Sequence, residues 1–303
     1  MRGTISRIGV TVVAVVAVVA GCSSGGGSGG AAGAASSVTV GVTQPPRDLD
    51  PYDNAVPLLN IMRSAYDNLL RQAPDGTFKP ALAESWNYID PTTFTMSLRP
   101  GVKFADGTPL NAQVVKANLE RAAAKPTAVT AQFAGDKPQI TADSDMSVRV
   151  KLGQPDPDLT SIFAGGTGMI VHPDLVANPK QMATTMNGTG PYTYNSAKSI
   201  TNASYVFDQK PGYWGAAAFP FKTVTWKVVS DLNSALNALL SGQIDVAPGA
   251  PEGATQVAGA GMKSVNGLGA YFAVQGYSVD RTKMTAHERA AAPSRGALSA
   301  FSG

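Results

Sequence analysis

Apolar and polar residues alternate in several short segments of the chain, and turn-forming residues separate these segments. Strict alternation puts every second side chain on one face, which is typical of a half-buried β-strand. The predicted strands are residues 38–42, 93–98, 148–152, 192–194, 205–207 and 224–229, with 244–246 as a short further strand. Residues 192–194 and 205–207 should pair as a hairpin around a polar loop.

Apolar residues recur at helical spacing in three other segments. Residues 58–70 carry an apolar face, Asn111 caps a predicted helix through Glu120, and Asp231 opens a helix that Gly242 ends. The apolar face of the first helix consists of Leu58, Ile61, Met62, Ala65 and Leu69. Residues 162–171 are apolar but interrupted by glycine, which predicts an irregular buried segment. Strands that alternate with helices indicate a mixed α/β fold rather than an all-β sandwich.

The N-terminus has the pattern of an export signal. Arg2 and Arg7 precede an apolar stretch, and the small residues Ala20 and Gly21 lead to Cys22. The stretch is too short and has the wrong flanks for a membrane-spanning helix. Residues 19–22 resemble a bacterial lipobox, in which the cysteine becomes the acylated first residue of the mature protein. An ordinary secretory peptide and a buried free thiol are the alternatives.

The predicted domain organisation follows from this start. Residues 1–21 are interpreted as a lipoprotein signal peptide and 22–37 as a tether, because residues 23–37 contain only Gly, Ser and Ala and have no apolar surface to bury. A folded domain is expected over 38–283, followed by an atypical tail at 284–303. The lipidated Cys22 would hold the protein at the outer face of the cytoplasmic membrane.

Composition argues against most catalytic chemistry. The chain has one cysteine, so it forms no internal disulfide, and its two histidines, His172 and His287, lie far apart. They are expected to be surface or loop residues, and they offer little raw material for a zinc site or a catalytic triad. An exported hydrolase would need a nucleophile with a positioned base, and no Ser or Asp has a plausible histidine partner. We therefore predict no enzyme activity, no cofactor and no metal.

Charge and glycine patterns exclude two further classes of partner. The formal net charge is +3, of which Arg2 and Arg7 supply two units, and no basic run favours nucleic acid. The glycine-rich residues 165–168 and 188–190 lack the Lys-Ser/Thr of a phosphate-binding loop and are interpreted as turns.

Eight short motifs, taken in order, resemble the extracellular solute-binding proteins of family 5, the peptide- and nickel-binding receptors of ABC importers. They are Leu49-Asp50-Pro51, Tyr66-Asp67-Asn68-Leu69-Leu70, Asp75-Gly76, residues 80–86 (PALAESW), residues 94–110 (FTMSLRPGVKFADGTPL), Gly188-Thr189-Gly190-Pro191-Tyr192, Tyr213-Trp214 and residues 239–246 (LLSGQIDV). The resemblance spans about residues 38–250. It implies a two-lobe fold like the type 2 periplasmic binding proteins, with the second lobe incomplete.

The resemblance also implies a function. Two lobes of a monomeric receptor would close over a small solute or oligopeptide and deliver it to ABC permease subunits. Peptide is the commonest ligand of the family, whereas nickel chelate, sugar and opine remain possible. By position, Thr43, Gln44, Pro45 and Asp53 are expected to line the cleft, with backbone groups of Thr43 and Gln44 bonding the ligand. The residues that grip peptide termini in the family lie mainly in its C-terminal half.

Several motif residues also have structural explanations. Glu84 is expected to pair with Arg99, and Lys103 and Asp106 to lock their loop. Four aromatic residues are expected in the core or between packed layers: Trp86, Phe104, Tyr213 and Trp214.

The last residues depart from the family pattern. Residues 284–303 lack hydrophobic periodicity and resemble GC-rich DNA translated out of frame. They suggest a truncated or frameshifted family member, which sequencing of the downstream gene would test. The alternatives to import are a lipid-anchored surface adhesin or scaffold and a non-functional truncated receptor. Neighbouring genes for permeases and ATPases would favour import.

The lipobox interpretation predicts that Cys22→Ala releases the protein from the membrane fraction into the soluble extract, because the acylated residue is lost. Fractionation and immunoblotting of cells expressing either form measure this, with Ser28→Ala in the tether as the control. Unchanged membrane partitioning of Cys22→Ala would contradict the anchor.

Overall fold

The computed structural model describes residues 36–54, 58–73, 75–249, 253–260 and 262. Cys22, His287, the signal peptide and the 284–303 tail lie outside the described residues. Within them the strands are β1 (Ser37–Val42), β2 (Leu70–Gln72), β3 (Phe78–Pro80), β4 (Ala83–Asp90), β5 (Thr93–Leu98), β6 (Gln139–Ser144), β7 (Ser147–Lys151), β8 (Tyr192–Tyr194), β9 (Ser204–Gln209) and β10 (Thr223–Val228).

The strands form two four-stranded sheets and a small hairpin of β2 with β3. Sheet one has the order β1-β10-β9-β8, with β1 parallel to β10 and the other pairs antiparallel. Sheet two has the order β4-β5-β7-β6 and is antiparallel throughout. Each sheet has its own hydrophobic core. In β5 the inward residues Phe94, Met96 and Leu98 alternate with more exposed ones, as the sequence pattern predicted.

Helices cover the sheets. They are α1 (Leu59–Met62), α2 (Ala112–Ala124), α3 (Ala131–Gly135), α4 (Leu159–Ala164), α5 (Pro173–Ala177), α6 (Leu232–Leu240) and α7 (Ala254–Gly259), with short 3₁₀ turns at Gly166–Gly168, Pro179–Ala183 and Ala216–Ala218. The predicted caps of α2 and α6 are confirmed: Asn111 Oδ1 accepts from the Val114 amide at 3.0 Å and Asp231 Oδ1 from the Ser234 amide at 2.9 Å. Among the described residues, no helix combines the length and apolarity that a membrane span needs.

The chain crosses between the sheets along residues 64–70, which we call the crossing segment. On one side, the amides of Gly190 and Tyr192 donate to the carbonyls of Ala65 and Ser64, both at 2.9 Å. On the other side, the Leu69 amide donates to the Gly168 carbonyl at 2.8 Å. The crossing segment is therefore held between two segments that come later in the chain, one at Gly168 and the other at Gly190 and Tyr192.

The crossing segment corrects the helix predicted over residues 58–70. The observed helix α1 ends at Met62, and an isolated bridge joins Asn68 to Met169. The apolar residues of the crossing segment are buried as predicted, but after a turn at residues 63–65 its backbone pairs with distant residues, which helical periodicity does not reveal.

Two further predictions need correction. His172 lies in the loop that precedes α5, but it is not a surface residue: it is only 4% exposed, its ring packs edge-on against Phe104, and its Nε2 lies 3.0 Å from Asp106 Oδ2. Gly188 and Gly190 are not turn glycines. They are contact positions, since an added Cβ would lie 2.3 Å from the Ala65 carbonyl oxygen at Gly188 and 2.5 Å from its carbon at Gly190.

The close approach predicts that Gly190→Ala destabilises the fold, because the new methyl group collides with backbone atoms that cannot rotate away. Overpacking of this kind costs about 1–3 kcal/mol. Urea unfolding followed by circular dichroism measures the loss. Gly135→Ala in α3 is the matched control, because an added Cβ there meets nothing within 4 Å. Equal stability of the two variants would refute the steric argument.

Candidate functional site

The carboxyl ends of parallel segments meet at one edge of sheet one. β1 and β10 run parallel, and Val246 adds a parallel bridge to Val40 on the outer side of β1. The Val229 amide donates to the Val42 carbonyl, and the Gly41 amide to the Val246 carbonyl, both at 2.8 Å. In open α/β sheets ligands bind just beyond such ends. We call residues 43–45, 229–231 and 247–249 the strand-end edge.

Gly41 lies close to this outer segment. A Cβ on Gly41 would lie 2.8 Å from the Ile244 Cδ1 and 3.5 Å from the Val246 carbonyl oxygen. The short predicted strand at 244–246 thus exists only as bridged backbone beside β1.

Three of the four predicted ligand contacts lie at the strand-end edge. Thr43, Gln44 and Pro45 follow β1 directly; Gln44 is exposed and the other two are partly buried. The backbone N–H and C=O groups of Thr43 and Gln44 form no hydrogen bond with the described residues. The role of Thr43 and Gln44 as ligand contacts stays a prediction.

Asp53, the fourth predicted contact, has a protein partner. Its Oδ2 lies 2.5 Å from Lys125 Nζ, which is also 3.3 Å from Asp50 Oδ2. Arg121 Nη2 binds the buried Asp50 Oδ1 at 2.6 Å, and the Arg121 guanidinium stacks 4.2 Å from the Tyr52 ring centroid. This cluster fastens the loop after β1 to the end of α2, so the Asp53 carboxylate is engaged within the protein. Its assignment as a ligand contact also stays a prediction.

A concave pocket lies between sheet one and the β2–β3 hairpin. Its volume is about 120 Å³, and we call it the Arg63 pocket. It is lined by Arg63, Tyr66, Asp67, Asn68, Leu70, Arg71, Pro80, Ala81, Ala164, Pro191, Tyr213, Trp214, Gly215, Ala218 and Phe219. Pro191 and Phe219 precede β8 and β10, two strands that run in the same direction. The pocket therefore sits at the amino-terminal side of sheet one, opposite the strand-end edge.

Asp67 is the acidic group of this pocket. Tyr213 Oη donates to its Oδ1 at 2.7 Å and Trp214 Nε1 to its Oδ2 at 3.0 Å. Burial raises the pKa of Asp67 above its ordinary value, against the lowering effect of these two hydrogen bonds. Both carboxylate oxygens are thus engaged by aromatic side chains of the Tyr213-Trp214 motif.

The structural roles predicted for the motif residues are largely confirmed. Arg99 Nη1 lies 3.3 Å from Glu84 Oε1, and Phe104 and Tyr213 are buried. Trp214 is different: it is 40% exposed, with the Arg99 guanidinium 4.4 Å from its ring centroid.

The loop prediction for Lys103 and Asp106 is half right. Asp106 Oδ1 accepts from the Thr108 amide at 3.0 Å, whereas Lys103 contributes its carbonyl, which accepts from Lys210 Nζ.

The sequence did not predict two features: the cluster of Arg121 and Lys125 with Asp50 and Asp53, and the Arg63 pocket. Arg121 and Lys125 lie one turn apart near the end of α2, and that spacing was the available signal. Their partner Asp50 is 71 residues away from Arg121, so the pairing itself has no local signature. Among the described residues, no cluster of three or more His, Cys, Asp or Glu forms that could hold a metal ion.

Comparison with known proteins decides the family. Residues 77–287 match the family described as bacterial extracellular solute-binding proteins, family 5 Middle. The chain belongs to this family. It is a family of solute-binding proteins and not of enzymes, which confirms the resemblance inferred from the motifs.

Individual relatives agree. The chain is 32% identical over 219 residues to the glutathione-binding protein GsiB of Escherichia coli O6:K15:H31. The matched region covers 70% of this chain and 42% of that protein. The murein tripeptide binding protein MppA of Escherichia coli superposes with a TM-score of 0.66 at 23% identity, covering 73% of this chain and 47% of that chain. A substrate-binding protein of Microbacterium hydrocarbonoxydans, complexed with 4-hydroxybenzoate hydrazide, gives 0.65 at 27% identity, with coverages of 73% and 48%.

These superpositions confirm a mixed α/β fold of the type 2 periplasmic binding proteins. The chain spans less than half the length of these relatives.

The Asp67 contacts predict that Tyr213→Phe destabilises the protein by about 1–3 kcal/mol, because a partly buried carboxylate loses a hydrogen-bond donor. Without that donor to the charged form, the already raised pKa of Asp67 rises further. The difference in free energy of unfolding between wild type and Tyr213→Phe is therefore largest at pH values above the pKa of Asp67. It decreases as acid protonates Asp67. Urea unfolding at mildly alkaline and at acidic pH measures both effects.

Tyr194→Phe is the control, because the Tyr194 ring packs on Phe207 and its hydroxyl forms no hydrogen bond with the described residues. A Tyr213→Phe penalty that is the same at both pH values would contradict the role of the Asp67 charge.

Proposed function

We propose that this protein is the extracytoplasmic solute-binding component of an ABC import system and that its solute is a peptide. The observation that carries the proposal is the strand-end edge, where the backbone groups of Thr43 and Gln44 have no partner among the described residues. Extended peptides bind to such groups as an added strand, so main-chain hydrogen bonds supply affinity without selecting side chains. Family membership and the glutathione-binding relative GsiB support the same ligand class.

The proposed mechanism is capture by enclosure. The solute contacts the strand-end edge and an opposing surface together only in the closed state, so its binding shifts an existing open–closed equilibrium. The closed receptor, a monomer, then presents the solute to the permease subunits. No bond is made or broken in this cycle.

Anchoring completes the proposal. Acylation at Cys22 would keep the receptor at the outer face of the cytoplasmic membrane, and residues 23–37 would act as a flexible leash. A Gly/Ser-rich leash of n residues has a root-mean-square reach of about 5–6 Å × √n. That reach lets a folded receptor meet a permease in the same membrane.

A paired substitution at Gln44 tests the ligand contact. Gln44→Pro removes the backbone N–H, and Gln44→Ala removes only the side chain. Because Gln44 is exposed and its N–H has no described partner, neither change removes a hydrogen bond within the described residues. Circular dichroism checks that Gln44→Pro is folded, since proline also restricts the backbone at positions 43 and 44. Loss of one ligand hydrogen bond predicts a dissociation constant raised about tenfold in Gln44→Pro, with Gln44→Ala close to wild type.

Isothermal titration calorimetry with glutathione and with trialanine measures these constants, and nickel alone and a neutral sugar serve as competing ligand classes. Peptide binding that is insensitive to Gln44→Pro would remove the strand-end edge from the proposal. Binding of nickel or sugar without peptide binding would replace the solute class.

A further inference from the structure

We propose that the Arg63 pocket is a second binding site, separate from the strand-end edge, that takes a short organic carboxylate. The pocket opens at the amino-terminal side of sheet one, where Pro191 and Phe219 precede β8 and β10. The residues of the strand-end edge are not among its lining residues. A solute at one position therefore does not occupy the other.

The charges of the pocket do not balance. Asp67 is the one acidic side chain among the lining residues, and Tyr213 and Trp214 occupy its two oxygens. Arg63 and Arg71 both line the pocket, and neither has a carboxylate within 4 Å among the described residues. Two arginines against one engaged carboxylate leave the cavity with a positive surplus.

Arg63 is the better anchor of the two. Its Nη1 donates to Asn60 Oδ1 at 3.0 Å and its Nη2 to the Ala164 carbonyl at 3.3 Å. Both acceptors are uncharged, and a guanidinium has five N–H donors, so donors remain for an anion. Burial lowers the pKa of Arg63 to about 10, which leaves the side chain charged at neutral pH. A carboxylate matches the planar fork of a guanidinium and would offset the cost of keeping this charge partly out of water.

Size and wall chemistry restrict the rest of the ligand. A volume of about 120 Å³ is well below the roughly 300 Å³ at which pockets begin to hold drug-sized molecules. Tyr66, Leu70, Ala164 and Phe219 supply apolar wall. The fitting class is a carboxylate with a short aliphatic chain, and propionate is a suitable probe.

Titration calorimetry of the whole chain with sodium propionate tests the site, at constant ionic strength because salt screens exposed charges. We expect saturable binding with a dissociation constant on the order of 1 mM, as suits a ligand of about five heavy atoms. Propionamide, which has the same shape and no charge, should bind at least about tenfold more weakly, since it cannot form the charge-assisted pair. Equal binding of the two probes, or no saturation by propionate, would overturn the proposal.

Substitutions locate the site. Arg63→Gln should weaken propionate binding about tenfold or more, and Arg63→Lys should lie between it and wild type, because lysine keeps the charge and loses the fork. Arg47→Gln is the matched control: Arg47 is exposed and lies outside the pocket lining. If Arg63→Gln does not fold, Arg71→Gln and the propionamide comparison on wild type decide instead. An effect of Arg47→Gln as large as that of the pocket substitutions would assign the binding to general surface charge.

Discussion

Backbone pairing of the crossing segment is the constraint on which the two-sheet arrangement depends. Ala65 and Ser64 accept from Gly190 and Tyr192 on one side, and Leu69 donates to Gly168 on the other. A buried peptide group without a partner is costly, so displacing this segment would leave polar groups unpaired in two later segments of the chain at once. The glycines allow the approach, because any Cβ at Gly190 would meet the Ala65 backbone. The connection between the sheets is therefore stabilised first by its main chain.

Side chains of the crossing segment then bond the structural elements on either side of it. Trp226 Nε1 of sheet one donates to Ser64 Oγ at 2.9 Å, and Tyr66 Oη donates to the Leu49 carbonyl at 3.0 Å. Asn68 Nδ2 reaches the Ala164 carbonyl, at 3.0 Å, at the end of α4. One short stretch of backbone thus positions the loop after β1, the centre of sheet one and the helix beside sheet two. The placement of Asp67 in the Arg63 pocket follows from the same pairing.

The sequence predicted those elements whose stabilisation is local. Asn111 and Asp231 cap their own helices, and β5 shows its alternation directly, so both kinds of element were recognised. It failed where a partner lies far along the chain. Residues 64–70 have helical periodicity, but the helix ends at Met62. The carbonyls of Ser64 and Ala65 and the amide of Leu69 bond residues about 100 or more positions later. Strand β4 is largely exposed and has no clean alternation, so its motif was recognised while its conformation was not.

The same distinction between local signals and distant partners applies to the candidate sites. Thr43 and Gln44 were predicted as ligand contacts because the end of a strand is a local feature and the family resemblance points to it, and this stays a prediction. The parallel pairing of β1 with β10, which makes that end a plausible binding edge, is visible only in the fold. Nothing in the sequence indicated a site at Arg63, because a lone arginine after an apolar turn is typical of a solvated side chain.

The two ends of sheet one differ in electrostatics, and this difference bears on what each can hold. Helix α6 begins at the strand-end edge, where a free helix N-terminus would attract an anion. Asp231 already caps it, and the hydrogen bond from the Ser234 backbone lowers the pKa of Asp231 to about 2, so this carboxylate stays charged and discourages a second anion. Under the proposed function, the solute would bond the uncharged backbone groups of Thr43 and Gln44 at this edge. Main-chain bonding of that kind suits a receptor that accepts varied peptides, whereas the opposite end, with Arg63, favours negative charge.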